Sequence, residues 1–173
     1  MRYEEYIPKE KIIDNSLKLR VFEEIDKNNY LELQKVNYPE IEGYNEEKFR
    51  NMIWKILEVT GVYEYAVEES GDFVGSIMLK DYEDDSIEIG CDIYPKYQNQ
   101  GICQKCMEAV LNMLKSELPN VVVVARVEDK NDISRHIIEK KGGVFQKNET
   151  SEISDAFNLN LSQEHHVDVY RLY

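Results

Sequence analysis

The stretch from Ile87 to Leu118 constrains this chain most: an apolar strand, a proline, a glycine turn and a long amphipathic helix, in that order. The strand reads Ile87-Glu88-Ile89-Gly90-Cys91-Asp92-Ile93-Tyr94, and Pro95 closes it. Gln98-Asn99-Gln100-Gly101-Ile102-Cys103 then runs straight into the helix. Ile102, Cys106, Ala109, Val110, Met113, Leu114 and Leu118 recur there at helical spacing, and Pro119 stops it. A glycine turn that opens a helix leaves the first N–H groups without intrahelical partners, and the helix dipole adds partial positive charge. Such a turn suits an anion, a pyrophosphate in particular.

The flanking sequence predicts the elements around this unit. Leu17–Phe22 alternates like a half-buried strand. Asp26 is placed to cap a helix running to about Lys35, and Asn37-Tyr38-Pro39-Glu40 breaks it. A second helix, from about Asn45 to Thr60, carries Phe49, Met52, Ile53, Ile56 and Leu57 on one stripe. Val62–Glu69 and Phe73–Lys80 read as strands joined by the tight turn Ser70-Gly71-Asp72. Val121–Val127 is apolar on both faces, as expected of a strand covered on two sides. Asp129 or Asn131 begins a further helix through Lys141, Val144–Lys147 and His166–Tyr173 close the order as strands, and residues 148–164 read as a long loop.

At 173 residues the chain fits one domain, residues 1–173, with residues 1–16 as an N-terminal extension. No run approaches the roughly 20 apolar residues of a membrane span. The acidic start Met1-Arg2-Tyr3-Glu4-Glu5 is unlike a secretory signal, and three cysteines suit a reducing compartment, so a cytoplasmic protein is expected. The net charge of −13 argues against nucleic acid as a partner. Its distribution is uneven. Residues 62–94 hold ten acids against Lys80 alone, a balance of −9, whereas residues 95–147 hold nine bases and six acids, a balance of +3. The basic part suits a polyanionic cofactor and the acidic part a cationic amine.

A second block begins about thirty residues after the glycine turn: Val127-Glu128-Asp129-Lys130-Asn131-Asp132-Ile133-Ser134-Arg135-His136-Ile137-Ile138-Glu139-Lys140-Lys141-Gly142-Gly143. Gln98 and Gly101 match the acyl-CoA-binding pattern Gln/Arg-x-x-Gly-x-Gly/Ala of the GNAT superfamily of N-acetyltransferases, with Cys103 departing from its final small residue. The second block resembles the family's Asn-x-x-Ala/Ser helix ending in Glu-Lys-x-Gly, in the serine-bearing form of the ribosomal-protein acetyltransferases. The order of elements from residue 17 to 173 resembles the family order as well. The resemblance implies an α/β (α+β) fold: a central mixed, mostly antiparallel sheet of about seven strands, flanked by helices, with one splayed parallel strand pair. It implies a cytoplasmic acyltransferase that moves an acetyl group from acetyl-CoA to a primary amine, with no metal, no nucleic acid and no membrane.

By that resemblance, pantetheine lies between the strand ending at Ile93 and the strand Val121–Val127, its amides paired with the Ile93 backbone. The N–H groups of Gln100, Gly101, Ile102, Cys103 and Gln104 cradle the pyrophosphate, with Gln98 ahead of them. A glycine at 101 keeps a side chain out of the phosphate's space. Asn131 either bonds the pantetheine arm or caps its helix. Glu88 is the first candidate for the base that accepts the amine proton, and Asp92, of the same side-chain parity, is the second. The leaving thiolate needs a donor. Many family members carry a tyrosine where this chain has Ile138, which leaves Ser134, one turn earlier, either as the donor or as a helix-start residue. Without the tyrosine, an acyl-CoA-binding module with little or no transfer is the alternative. The acceptor is a small-molecule or peptide amine, and the oligomeric state stays open, a homodimer included.

Other chemistries fit less well. Cys103-Gln104-Lys105-Cys106 has a redox spacing, but it lies inside the glycine-turn pattern and Cys106 falls on the apolar face. The three cysteines and three histidines lack zinc-ligand spacing, and the dinucleotide and P-loop glycine patterns are absent.

Overall fold

The computed structural model describes residues 5–37, 47, 50, 51, 54, 55, 61–83, 85–151 and 165–173. Its strands are β1 (Glu10–Ile12), β2 (Leu17–Val21), β3 (Val62–Glu69), β4 (Asp72–Asp81), β5 (Ser86–Ile93), β6 (Val122–Glu128), β7 (Val144–Ser151) and β8 (His165–Arg171). Helix α1 spans Asp26–Asn37, α2 Ile102–Glu117 and α3 Asp132–Lys140, and a 3-10 turn covers Pro95–Tyr97. The helix expected over residues 45–60 lies largely outside the described residues, of which Glu47, Arg50, Asn51, Trp54 and Lys55 are helical.

The eight strands form one sheet in the order β1-β2-β3-β4-β5-β6-β8-β7. Every neighbouring pair is antiparallel except β5 with β6. The expectation of about seven strands misses β1, which pairs Glu10, Lys11 and Ile12 with Arg20, Leu19 and Lys18. The N-terminal stretch is thus tied to the sheet. Ile7 is buried in the core, the Tyr65 hydroxyl donates to the Pro8 carbonyl at 2.5 Å, and Lys105 on α2 bonds Asp14 at 2.8 Å.

The two sheet faces carry different helices. Leu17, Leu19, Tyr65, Val67, Ile77, Leu79, Ile87, Ile89 and Val123 pack with Ile102, Cys106, Met107, Val110 and Leu114 of α2 and Ile138 of α3. Ala109 and Leu118, expected on the buried stripe, are only partly buried, while Met107 is in the core. Helix α1 covers the opposite face over β4 and β5. Asp26, expected as the cap of this helix, is its first residue, and its carboxylate bonds backward to Arg20 and Glu23. The carboxylate is buried, takes two bonds from the Arg20 guanidinium at 2.6 and 2.8 Å, and accepts the Glu23 N–H at 2.9 Å. The β3–β4 hairpin turns through Ser70 and Gly71, both at positive φ (54° and 92°), as a two-residue turn of right-twisted strands requires. Strand β7 runs to Ser151, so the first residues of the expected loop pair with β8, and residues 152–164 lie outside the described set.

Candidate active site

The register of β5 with β6 covers only Ser86↔Val122, Ile87↔Val123 and Glu88↔Val124. Both strands continue past that point, β5 to Ile93 and β6 to Glu128, but β6 then pairs with β8 instead. A gap therefore opens just beyond Glu88. The Tyr94 N–H donates to the Val74 carbonyl at 3.0 Å, on the β4 side. Antiparallel alternation then turns the backbone groups of Ile93, Cys91 and Ile89 toward the gap. They form an open strand edge, the kind of surface that an extended amide-bearing ligand extends. The Ile93 carbonyl is engaged by the Gln98 side-chain amide at 2.9 Å. Gln98 thus fastens the end of β5 to the turn through its side-chain amide. Gln100 does the same one residue pair later, donating to the Lys96 carbonyl at 3.0 Å.

The turn carries the chain into α2 through two residues at positive φ, Asn99 (61°) and Gly101 (78°). Gly101 is the N-cap, and its carbonyl accepts the Lys105 N–H at 3.0 Å. No side chain caps this end, so the first N–H groups of α2 lack a side-chain acceptor. A Cβ at Gly101 meets nothing within 4 Å. The space in front of the helix start is open, as a bound pyrophosphate needs, and Gln100, Ile102, Cys103 and Gln104 all belong to this turn and first helical turn. The chemistry of the donor set fits a phosphate anion.

Glu88 and Asp92 share the α1 face of β5. Glu88 is mostly buried, with Arg126 Nη1 at 3.8 Å from its Oε2. Burial pushes its carboxyl above the usual range, while Arg126 and Lys80 pull it down. Arg126 in turn reaches Glu149 at 3.4 Å and lies 5.9 Å from the centre of the Tyr82 ring. Asp92 is held against α1, accepting from Gln34 Nε2 at 3.1 Å and from Asn37 Nδ2 at 3.5 Å. Of the two, Glu88 stands at the gap and Asp92 under the helix.

On the other face, Asn131 is the N-cap of α3, its side-chain oxygen accepting the Ser134 N–H at 3.0 Å. That is the capping alternative read from the sequence, with the Asn131 amide N–H left for another partner. Ser134 is half-buried in the first turn of α3, and Ile138 is buried at 4% exposure in the core shared with β6. Helix α3, which carries Ser134, and the Glu88 side chain therefore lie on opposite faces of the sheet.

One further polar residue of this region stands in the sequence only as one of the ten acids of residues 62–94. Glu64 on β3 is 6% exposed, on the same face as Glu88 and Asp92. Neither of its carboxylate oxygens has a hydrogen-bond partner among the described residues. Cys91, Cys103 and Cys106 are free thiols. Among the described residues no group of three metal-ligating side chains occurs, and no helix is long and apolar enough to cross a membrane.

Comparison with solved structures places this geometry among acetyltransferases. An acetyltransferase from Salmonella typhimurium that modifies the N-terminal serine of a 50S ribosomal subunit protein superposes with a TM-score of 0.75 at 15% identity, covering 94% of this chain and 97% of that one. A ribosomal protein N-acetyltransferase in complex with coenzyme A gives 0.73 at 15% identity, covering 92% and 95%. Mutant forms of the spermidine/spermine N-acetyltransferase of Vibrio cholerae give 0.70 at 18% identity, covering 91% and 94%. At these identities the likeness is one of fold. Among curated proteins none matches the chain by sequence. The acetyltransferase (GNAT) domain profile matches residues 16–144, which span the diverging strands, the Gly101 turn and the Asn131 helix, and the chain belongs to the GNAT acetyltransferase family.

Proposed function

We propose that this protein moves an acetyl group from acetyl-CoA to a primary amine by direct attack within a ternary complex. The observation that carries the reading is the parting of β5 from β6 just past Glu88, with the uncapped start of α2 at Gly101. Acetyl-CoA supplies the activated thioester. The N–H groups from Gln100 to Gln104 hold its pyrophosphate, and the free edge of β5 takes up the amides of its arm. A ribosomal protein N-acetyltransferase of the same fold is solved in complex with coenzyme A, which supports a CoA thioester as the donor.

The attacking nitrogen must lose a proton, since an alkylamine of pKa near 10 is mostly protonated at neutral pH. Glu88 accepts it, because burial raises its carboxyl toward the working pH and leaves Oε2 without a hydrogen-bond partner among the described residues. Asp92 is the second candidate, engaged by Gln34 and Asn37. Ser134 donates to the departing thiolate from the opposite face. Solved structures of this fold include enzymes named for a protein N-terminus and for spermidine, both amines, so a small-molecule or peptide amine is the acceptor class. Its three free thiols support a cytoplasmic setting.

A second reading, an acyl-CoA-binding module with little or no turnover, is favoured by one observation: Ile138 is buried and cannot donate to sulfur. Amine-stimulated release of free thiol from acetyl-CoA separates the two. A panel of polyamines, amino acids, aminoglycosides and peptide N-termini should include at least one amine that accelerates release. Tight acetyl-CoA binding with no acceleration by any of them favours the binding module.

A further inference from the structure

The carboxylate of Glu64 is the least explained group in the molecule. A carboxyl buried this deeply either pairs with a cation or keeps its proton, because desolvation disfavours the charged form. Glu64 forms no ion pair among the described residues, and both its oxygens lack hydrogen-bond partners there. Burial pushes its carboxyl up to about 8, with the charge of Asp92 adding to the rise and the Ser76 hydroxyl opposing it.

Its surroundings follow from the register. Glu64 pairs with Met78, and Met78 with Gly90; Ala66 pairs with Ser76, and Ser76 with Asp92; Lys80 pairs with Glu88. Side chains two residues apart share a face. Glu64, Ser76, Glu88, Gly90 and Asp92 therefore lie on one face, the one α1 covers. By strand spacing and rise, the Glu64 Cα lies roughly 12 Å from those of both Glu88 and Asp92. Gly90 stands between the two β5 carboxylates, and the Met78 side chain, on the same face between Gly90 and Glu64, comes within 3.5 Å of where a Gly90 Cβ would stand, an apolar floor between the acids. Three acids thus surround one patch; of the described strand cations on this face, Lys80 and Arg126 act on Glu88, and Lys18 and Arg20 are paired with Glu68 and Asp26.

We propose that Glu64, beside Asp92, is a subsite for a second ammonium group, so that the acceptor is a diamine or polyamine whose reacting nitrogen sits at Glu88. This rests on the transferase reading above. A dication offers one charge to each end of the patch, and the buried Glu64 carboxyl, largely protonated without ligand, releases its proton to solvent and ionises against the second ammonium. In such a desolvated setting an ammonium–carboxylate contact discriminates strongly against a ligand with a methyl group in its place, because the carboxylate is then left unpaired.

The test compares straight-chain monoamines with α,ω-diamines of matched length, about three to six methylenes, at saturating acetyl-CoA, by thiol release. Calorimetric titration of 1,4-diaminobutane into the protein runs alongside. The natural protein should favour the diamine at least 30-fold in kcat/KM. Glu64→Gln, nearly isosteric and checked by circular dichroism, should shrink that ratio at least tenfold, chiefly through KM. It should weaken 1,4-diaminobutane binding to a similar degree. Turnover with no preference for diamines, or a ratio unmoved by Glu64→Gln, overturns the subsite and leaves the transferase reading intact. Glu64-dependent diamine binding without turnover of any amine sustains the subsite and overturns the transferase reading. Neither turnover nor binding overturns both.

Discussion

Glu88 Oε2 and Arg126 Nη1 stand 3.8 Å apart, within ion-pair range but beyond a hydrogen bond, at the point where β5 and β6 diverge. The pairing is loose enough to leave the carboxylate a proton acceptor and close enough to temper its rise in pKa. The acid limb of the kcat/KM profile should therefore lie above the ordinary glutamate value of about 4.3. Arg126→Gln removes a cation that pulls Glu88 down, so the limb should move to higher pH. Glu88→Gln should lower turnover by about 10²- to 10⁴-fold with little change in acetyl-CoA affinity. If Asp92→Asn gives that loss and Glu88→Gln is silent, the base is Asp92.

Gly101 stands at φ 78° with open space where a Cβ would project. A β-branched residue at left-handed φ costs about 1–2 kcal/mol in the fold, and its methyl groups occupy the space in front of the helix N–H groups. Gly101→Val should cost a hundredfold or more in acetyl-CoA affinity, as loss of two or three charge-assisted hydrogen bonds implies. Gly101→Ala, which meets no neighbour, should fall between the two. Titration of folded variants by calorimetry measures both. Near-normal affinity for Gly101→Val would mean that the pyrophosphate lies elsewhere.

Asn131 offers a way to separate cap from ligand contact. Its oxygen accepts the Ser134 N–H, so Asn131→Ala should cost about 1 kcal/mol of stability. Asn131→Asp keeps the acceptor at the cap but has no amide N–H. Restored Tm with weakened acetyl-CoA binding assigns the amide to the pantetheine arm, whereas full restoration of both leaves only the cap. Ser134→Ala retains the backbone bond to Asn131 and should lower turnover about tenfold without changing Tm, if the hydroxyl serves the leaving thiolate.

How legible the site was depends on whether its cause is local. The Gly101 turn, the β3–β4 hairpin and the Asn131 helix start are set by residues within four positions of one another, and the sequence carries them openly. The strand pairing that parts β5 from β6 is long-range, and only the family resemblance pointed to it. Along β3, Val62-Tyr63-Glu64-Tyr65 alternates as a strand with one polar face does, and Glu64 is not distinguished there from the other nine acids of residues 62–94. It is buried because that face is covered in the fold, α1 lying over the neighbouring strands β4 and β5, a fact no window of residues around Glu64 contains. Asp26 misled for the same reason. The expected capping role is a local reading, whereas its pairing with Arg20 needs the fold.

Glu64 also makes stability depend on pH in a direction opposite to most carboxylates. Its folded-state carboxyl titrates at about 8 against 4.5 for an ordinary one. Between those values the folded protein holds a proton that the unfolded chain has released, so the stability contribution is greatest below pH 4.5 and is lost as pH rises through 8. The full loss is on the order of 5 kcal/mol at about 1.4 kcal/mol per pH unit. Glu68 and Glu108 behave oppositely, since basic partners hold them below the usual range and their contribution is lost on acidification. Comparing the natural protein with Glu64→Gln cancels those effects. The glutamine is neutral throughout, so the Tm of the variant relative to the natural protein should climb steadily from pH 5 to pH 8 and level off above. A bound diamine should abolish the climb, because an ammonium at Glu64 favours the ionised carboxylate. A pH-independent difference between the two proteins would mean that Glu64 finds a cationic partner in the ligand-free protein, and the case for an empty ammonium subsite would fall with it.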